Sequence, residues 1–136
     1  MDKLILLAPL KKLAKASQAQ LGGVACFVVK NGAVVSSGIN YNPTGEPMEQ
    51  MLDGKLVSRP EVIHAEVAAI RAAAENAIDL SGTTLLLTMS PCINCAREIV
   101  KTDIGEVNYI HEWWDKAALT ILREHGIVVE QLKEER

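Results

Sequence analysis

Two short segments carry residues whose types and spacing could do metal chemistry, His64-Ala65-Glu66 and Pro91-Cys92-Ile93-Asn94-Cys95. One imidazole and two thiolates are nitrogen and sulfur donors of the kind zinc prefers. Three protein ligands with a fourth position left for water is the count of a catalytic site. Cys92 and Cys95 are three apart, so on the first turn of a helix both sulfurs fall on one side. There the positive end of the helix dipole also favours thiolate over thiol. His64 and Glu66 are two apart and would point nearly opposite ways on a regular helix. They converge only if His64 lies at the cap and the helix proper begins just after it.

Metal binding can lower the pKa of a water from about 15.7 to roughly 7, which makes a nucleophile available at neutral pH. Glu66 is not needed as a ligand and is free to take a proton from that water and hand it to a ring nitrogen and then to a departing amine. Such chemistry suits hydrolytic replacement of an exocyclic amino group on an aromatic ring. Other readings of the same residues are a thioredoxin-like redox pair at Cys92 and Cys95, or a structural zinc completed by His111 or His125. The first leaves His64 and Glu66 idle. For His125, a place at a helix C-terminus, where a histidine complements the dipole, is the simpler expectation. Cys26, in an apolar strand, reads as a small buried hydrophobe.

The elements that must position these residues are legible from periodicity and punctuation. Leu6, Leu10 and Leu13 share a helical face, predicting an amphipathic helix over 2–19 that Pro9 kinks or starts. Asp2, Lys11 and Lys12 argue against reading this stretch as a signal peptide. Apolar runs at 24–29 and 33–37 flank Asn31-Gly32, a hairpin signal. The stretch 40–59, with Pro43, Gly45, Pro47 and Gly54 and no sustained period, reads as a long loop. Beyond Pro60 come an Ala-rich helix to about 76, a strand at 84–88, a helix at 91–102, a strand at 107–110, a helix at 115–125 and a strand at 127–131, with a frayed charged tail over 133–136. The alternation implies parallel pairing with right-handed crossovers. The fold expected is α/β: a three-layer α/β/α sandwich on a mixed five-stranded sheet with an N-terminal antiparallel hairpin, one domain spanning 1–136.

With 136 residues the chain can bury one core without staples. Fourteen basic against seventeen acidic residues leave a net charge of −3, without the basic excess of a nucleic-acid surface. A small-molecule substrate is therefore favoured over nucleic acid. Three cysteines, two of them in C-x-x-C, point away from a secreted disulfide framework and toward a reducing, cytoplasmic setting. No apolar run approaches the length of a membrane span.

H-x-E followed by P-C-x-x-C is the signature of zinc-dependent nucleobase deaminases. With it, Gly38-Ile39-Asn40 followed by Pro43 and Gly45, Arg59 through Glu66, Leu87 through Cys92 with Cys95 and Ala96, and His125-Gly126-Ile127 make the chain resemble the cytidine and deoxycytidylate deaminase superfamily. The likeness runs from about 22 to 131, and a histidine as first ligand resembles the deoxycytidylate branch. The resemblance implies that Asn40 touches the sugar or base, that the backbone N–H of Ala65 binds the ring carbonyl and that the backbone carbonyl of Ser90 receives the leaving amino group. It also implies Zn2+ as cofactor, a pyrimidine nucleotide such as dCMP as substrate, and a homo-oligomer whose neighbours help to complete the site. Tyr41 stands where the family commonly has glycine. Lys30, Lys55 and Arg59 are the candidates for meeting a phosphate, and Trp113 and Trp114 could wall the base pocket, unless one of them packs on the last helix. Competing functions are deamination of cytidine, guanine or a transfer RNA adenosine, and a catalytically silent, zinc-stabilised binding domain. The acidic balance disfavours the transfer RNA version, and Glu66 disfavours the silent one.

Overall fold

The computed structural model describes residues 3–133. In chain order these form a 3-10 turn Lys3–Leu6, α1 Leu7–Ala14, β1 Ala25–Lys30, β2 Ala33–Ile39, β3 Glu49–Leu52, β4 Lys55–Ser58, α2 Ala65–Glu75, β5 Thr84–Met89, α3 Ile93–Val100, β6 Glu106–His111, α4 Ala117–Glu124 and β7 Val128–Gln131. The expected tail beyond Lys133 lies outside the described residues.

Asn31 and Gly32 turn β1 into β2 with φ of 51° and 79°, the left-handed values a tight hairpin requires. β1 is antiparallel to β2 on one side and to β5 on the other, while β5, β6 and β7 run parallel. The sheet order is β2-β1-β5-β6-β7, so the N-terminal hairpin forms one edge of a mixed sheet, as the sequence predicts. α3 and α4, which connect parallel neighbours laid down in one direction, pack on the same face of the sheet, as crossovers of one hand must.

Alternation along the strands divides the core in two. Cys26, Val28, Leu85, Leu87, Val107 and Tyr109 meet α2, α3 and α4. Ala25, Phe27, Val29, Leu86 and Ile110 meet Leu7 and Leu10 of α1 on the other face. This gives three layers. Leu85, Leu86 and Leu87 are all fully buried, each worth about 2–3 kcal/mol of apolar transfer. Their unbroken run reflects a strand covered on both faces.

Two expectations need correcting. The first helix is shorter than 2–19: after Ala14 the chain closes with Lys15 to Lys12 and Ala16 to Leu13 turns and leaves the helix. Pro9 sits in its first turn, where no intrahelical partner for an N–H is lost. The stretch 40–59 is not all loop, because β3 and β4 pair antiparallel about Asp53-Gly54, with φ of 51° and 78°. Asp-Gly was a readable hairpin signal, but strands of only four residues carry too little alternation to register.

Candidate active site

β5 ends at Met89, and Ser90-Pro91-Cys92 carries the chain into α3. Cys92 is the N-cap of that helix, and its Sγ accepts a hydrogen bond from the Cys95 backbone N–H at 3.4 Å. His64 is the N-cap of α2, in an extended conformation (φ −77°, ψ 156°). The expected arrangement at His64 is therefore present: it stands outside the helical repeat, which frees it to face the same space as Glu66. Its ring makes no capping bond. It turns instead to the sulfurs, with His64 Nδ1 at 3.1 Å from Cys95 Sγ and 3.5 Å from Cys92 Sγ, and the two sulfurs 3.4 Å apart.

These three donor atoms all lie within 4.8 Å of one another and could hold a metal ion. Zinc bonds of about 2.0–2.3 Å at tetrahedral angles need donor separations of roughly 3.5–3.8 Å, so the triangle is a few tenths of an ångström tight but of the right size. The donor set, one nitrogen and two sulfurs, fits zinc. His111 and His125 stand elsewhere: His111 ends β6, and His125 caps the C-terminus of α4 with Nδ1 2.9 Å from the Ile121 carbonyl. Cys26 is fully buried in β1, as expected.

The protein groups by themselves already favour a thiolate. The Cys92 thiol is pulled down to about 4, first by its hydrogen bond with Cys95 and further by His64 and the Cys95 backbone N–H, while Cys95 is pushed up as the proton-bearing partner. Cys92 in turn holds the His64 imidazole above its usual value, against the opposing effect of burial. Glu66 is only 3% exposed, and burial pushes its carboxyl above the ordinary carboxylate range.

Glu66, His64 and Cys92 open onto a cavity of about 290 Å³. Asn40, Ala65 and Ser90 line it too, so of the expected metal, catalytic and ring-contacting residues only Cys95, which is buried, does not reach this space. Asn40 Oδ1 accepts the Val24 N–H at 2.9 Å, while its Nδ2 has only a 3.5 Å contact with the Gly22 carbonyl. Ser90 Oγ accepts the Trp113 N–H at 2.7 Å, which fixes Trp113 in the cavity wall. Trp114 is 80% exposed; its ring centroid lies 5.1 Å from that of Trp113.

Of the expected phosphate partners, Lys30 is a correction. Lys30 lies at the far end of β1, beyond Val29, which pairs with the first residue of β5, and its Nζ donates to the Asp79 carbonyl. Arg59 is paired with Glu61 at 3.0 Å, and Lys55 is an exposed residue beside the 53–54 turn. Among the described residues, no lysine or arginine lines the cavity.

Sequence reasoning missed Gly38 as a structural determinant of the site. A Cβ there would come within 2.5 Å of the Ala65 carbonyl and 2.6 Å of the Ala69 nitrogen, so its lack of a side chain lets the first turn of α2 lie directly on β2. The residue was already noted in Gly38-Ile39-Asn40, but nothing local reveals which backbone approaches it. Ser58, also in the cavity wall, carried no signal.

The family model described as the cytidine and deoxycytidylate deaminase zinc-binding region matches residues 2–111. The deoxycytidylate deaminase of Enterobacteria phage T2 is 26% identical over 152 residues, covering 78% of this chain and 79% of the phage protein. That of Homo sapiens is 30% identical over 105 residues, covering 73% of this chain and 57% of the human one. Among solved structures, the dCMP deaminase of cyanophage S-TIM5 in complex with dCMP and dUMP superposes with a TM-score of 0.80 at 28% identity, covering 97% of this chain and 99% of that one.

Proposed function

The chain belongs to the cytidine and deoxycytidylate deaminase family, and from that premise we propose that it is a zinc-dependent hydrolase converting dCMP to dUMP and ammonia. The observation that carries this reading is the convergence of His64, Cys92 and Cys95 on one point beside a buried carboxyl, Glu66, at the cavity. The names and the bound dCMP and dUMP of the relatives support the choice of substrate.

His64, Cys92 and Cys95 would hold the ion, which when bound makes water nucleophilic at neutral pH. Glu66 takes a proton from the attacking water and delivers it to the ring nitrogen next to the attacked carbon. A second proton, from the hydroxyl now on that carbon, passes by the same carboxyl to the amino group; the carbon–nitrogen bond breaks as the ring carbonyl forms, and ammonia leaves. A carboxyl whose burial raises its pKa can hold the proton between these transfers. Ala65 is the first residue of α2, and an N–H at that position has no intrahelical acceptor, so it is available to the ring carbonyl. The Ser90 backbone carbonyl receives the leaving amino group, the free donor capacity of Asn40 Nδ2 serves the sugar, and Trp113 offers its face to the base. With no lysine or arginine among the described residues of the cavity wall, the phosphate lies at the mouth, where a neighbouring copy in a homo-oligomer can supply donors. The three free thiols suit a reducing cytoplasm.

A substrate panel followed by ultraviolet absorbance and ammonia release tests this. dCMP is expected to give the highest kcat/KM among dCMP, dCTP, deoxycytidine, cytosine, guanine and a transfer RNA anticodon stem. A preference for deoxycytidine over dCMP would reassign the substrate to the nucleoside. Turnover of none, with one zinc per chain, would instead leave a silent zinc-stabilised domain.

A further inference from the structure

We propose that Glu49 is a positioning residue for the substrate cavity, holding the loop that forms one of its walls and tying to it the β3–β4 hairpin. Among the described residues only two carboxyl side chains are buried, Glu66 and Glu49, the latter 7% exposed. Glu66 is used in the chemistry. Among the described residues Glu49 has no cation within ion-pair distance; its Oε2 accepts one hydrogen bond, from the Leu21 backbone N–H at 3.2 Å. Burying a carboxyl group for a single amide is a poor way to stabilise a fold, so the bond has to be sought in what it holds.

Leu21, Gly22, Gly23 and Val24 form one side of the cavity. The Leu21 side chain is 59% exposed, so apolar packing does little to anchor that end. The far end is pinned by Asn40, which accepts the Val24 N–H; the near end is pinned by Glu49. Across the hairpin Glu49 stands opposite Ser58, which lines the cavity itself. Glu49 is thus the junction of hairpin and wall. Without an acceptor there, the Leu21 amide loses its partner and this end keeps only the long 3.4 Å bond from the Gly22 N–H to the Ala19 carbonyl and the 3.5 Å Asn40 contact with the Gly22 carbonyl, so a substrate must pay to order it on binding.

The kinetic part of this proposal rests on the deaminase reading; the structural part does not. In the zinc-loaded full chain, Glu49→Leu is expected to raise KM for dCMP about fivefold, the weight of one hydrogen bond, with kcat held within about twofold. Glu49→Gln keeps an acceptor oxygen and is expected to restore both to wild-type values. Hydrogen exchange at the Leu21 amide is expected to quicken by about the same factor in Glu49→Leu and not in Glu49→Gln. If Glu49→Leu does not fold, Glu49→Ser, too short to reach the amide, carries the same test. Unchanged Leu21 exchange, a Gln variant as impaired as the Leu variant, or a loss confined to kcat would each overturn the proposal. Should the wild-type chain turn over no substrate, the deaminase reading fails while Leu21 exchange still decides the role of Glu49.

Discussion

His64 occupies a position where helices usually put a Ser, Thr, Asp or Asn, and it makes no capping bond there. A cap of that kind is worth about 1 kcal/mol, so the imidazole is held at a cost to α2 and directed to the two sulfurs instead. Cys92 serves both ends at once, capping α3 through the Cys95 N–H while facing His64. Glu66 is different in kind, since nothing in the metal triangle needs it. We therefore expect Glu66→Ala to keep about one zinc per chain and to lose a factor of roughly 10²–10⁴ or more in kcat, read by elemental analysis beside a dCMP assay. Loss of the metal along with the activity would make Glu66 part of the ion's support and not the proton carrier.

At the level of elements, the site is the meeting of two helix starts, α2 and α3, at the C-terminal end of β5. What sets the depth of α2 is Gly38 on β2, helped by Ser36 Oγ, which donates to the Ala69 carbonyl at 2.8 Å. A methyl group at position 38 has nowhere to go but into the backbone of the first turn of α2. Gly38→Ala is accordingly expected to destabilise the chain by about 1–3 kcal/mol, the usual cost of overpacking, and to weaken zinc binding because His64 rides on that turn. Denaturant unfolding and a competitive zinc titration would measure the two effects. An unchanged zinc affinity would mean that α2 yields without moving its N-cap.

For the whole molecule, an ion shared by His64 and the cysteines would join segments nearly thirty residues apart in the chain and pin α2 to α3 over one face of the sheet. The two core clusters make the fold independent of that link, since both faces of the central strands are already covered. Chelation is thus expected to lower the melting temperature by about 10 °C, as for a ligand present at roughly a hundred times its dissociation constant, and to leave the far-ultraviolet circular dichroism of the folded state intact. Collapse of that signal at room temperature would instead make the metal a condition of folding.

Sequence alone determined the donor types of the candidate ligands, their spacing and the alternation of strands with helices, because donor chemistry belongs to the residue and periodicity to its nearest neighbours. That was enough to bring His64, Glu66, Cys92 and Cys95 into one expectation and to anticipate the mixed sheet that carries them. It did not reveal which end of a strand a charge occupies. Lys30 and the metal triangle are at opposite ends of the sheet, a matter of register between strands far apart in the chain. Nor did it separate Trp113 from its exposed neighbour, find Gly38 beneath α2, or connect Glu49 to an amide 28 residues earlier. Those contacts exist only once distant surfaces have packed, and a side chain's partner across such a gap is decided by the shape of the folded chain, not by the residues beside it.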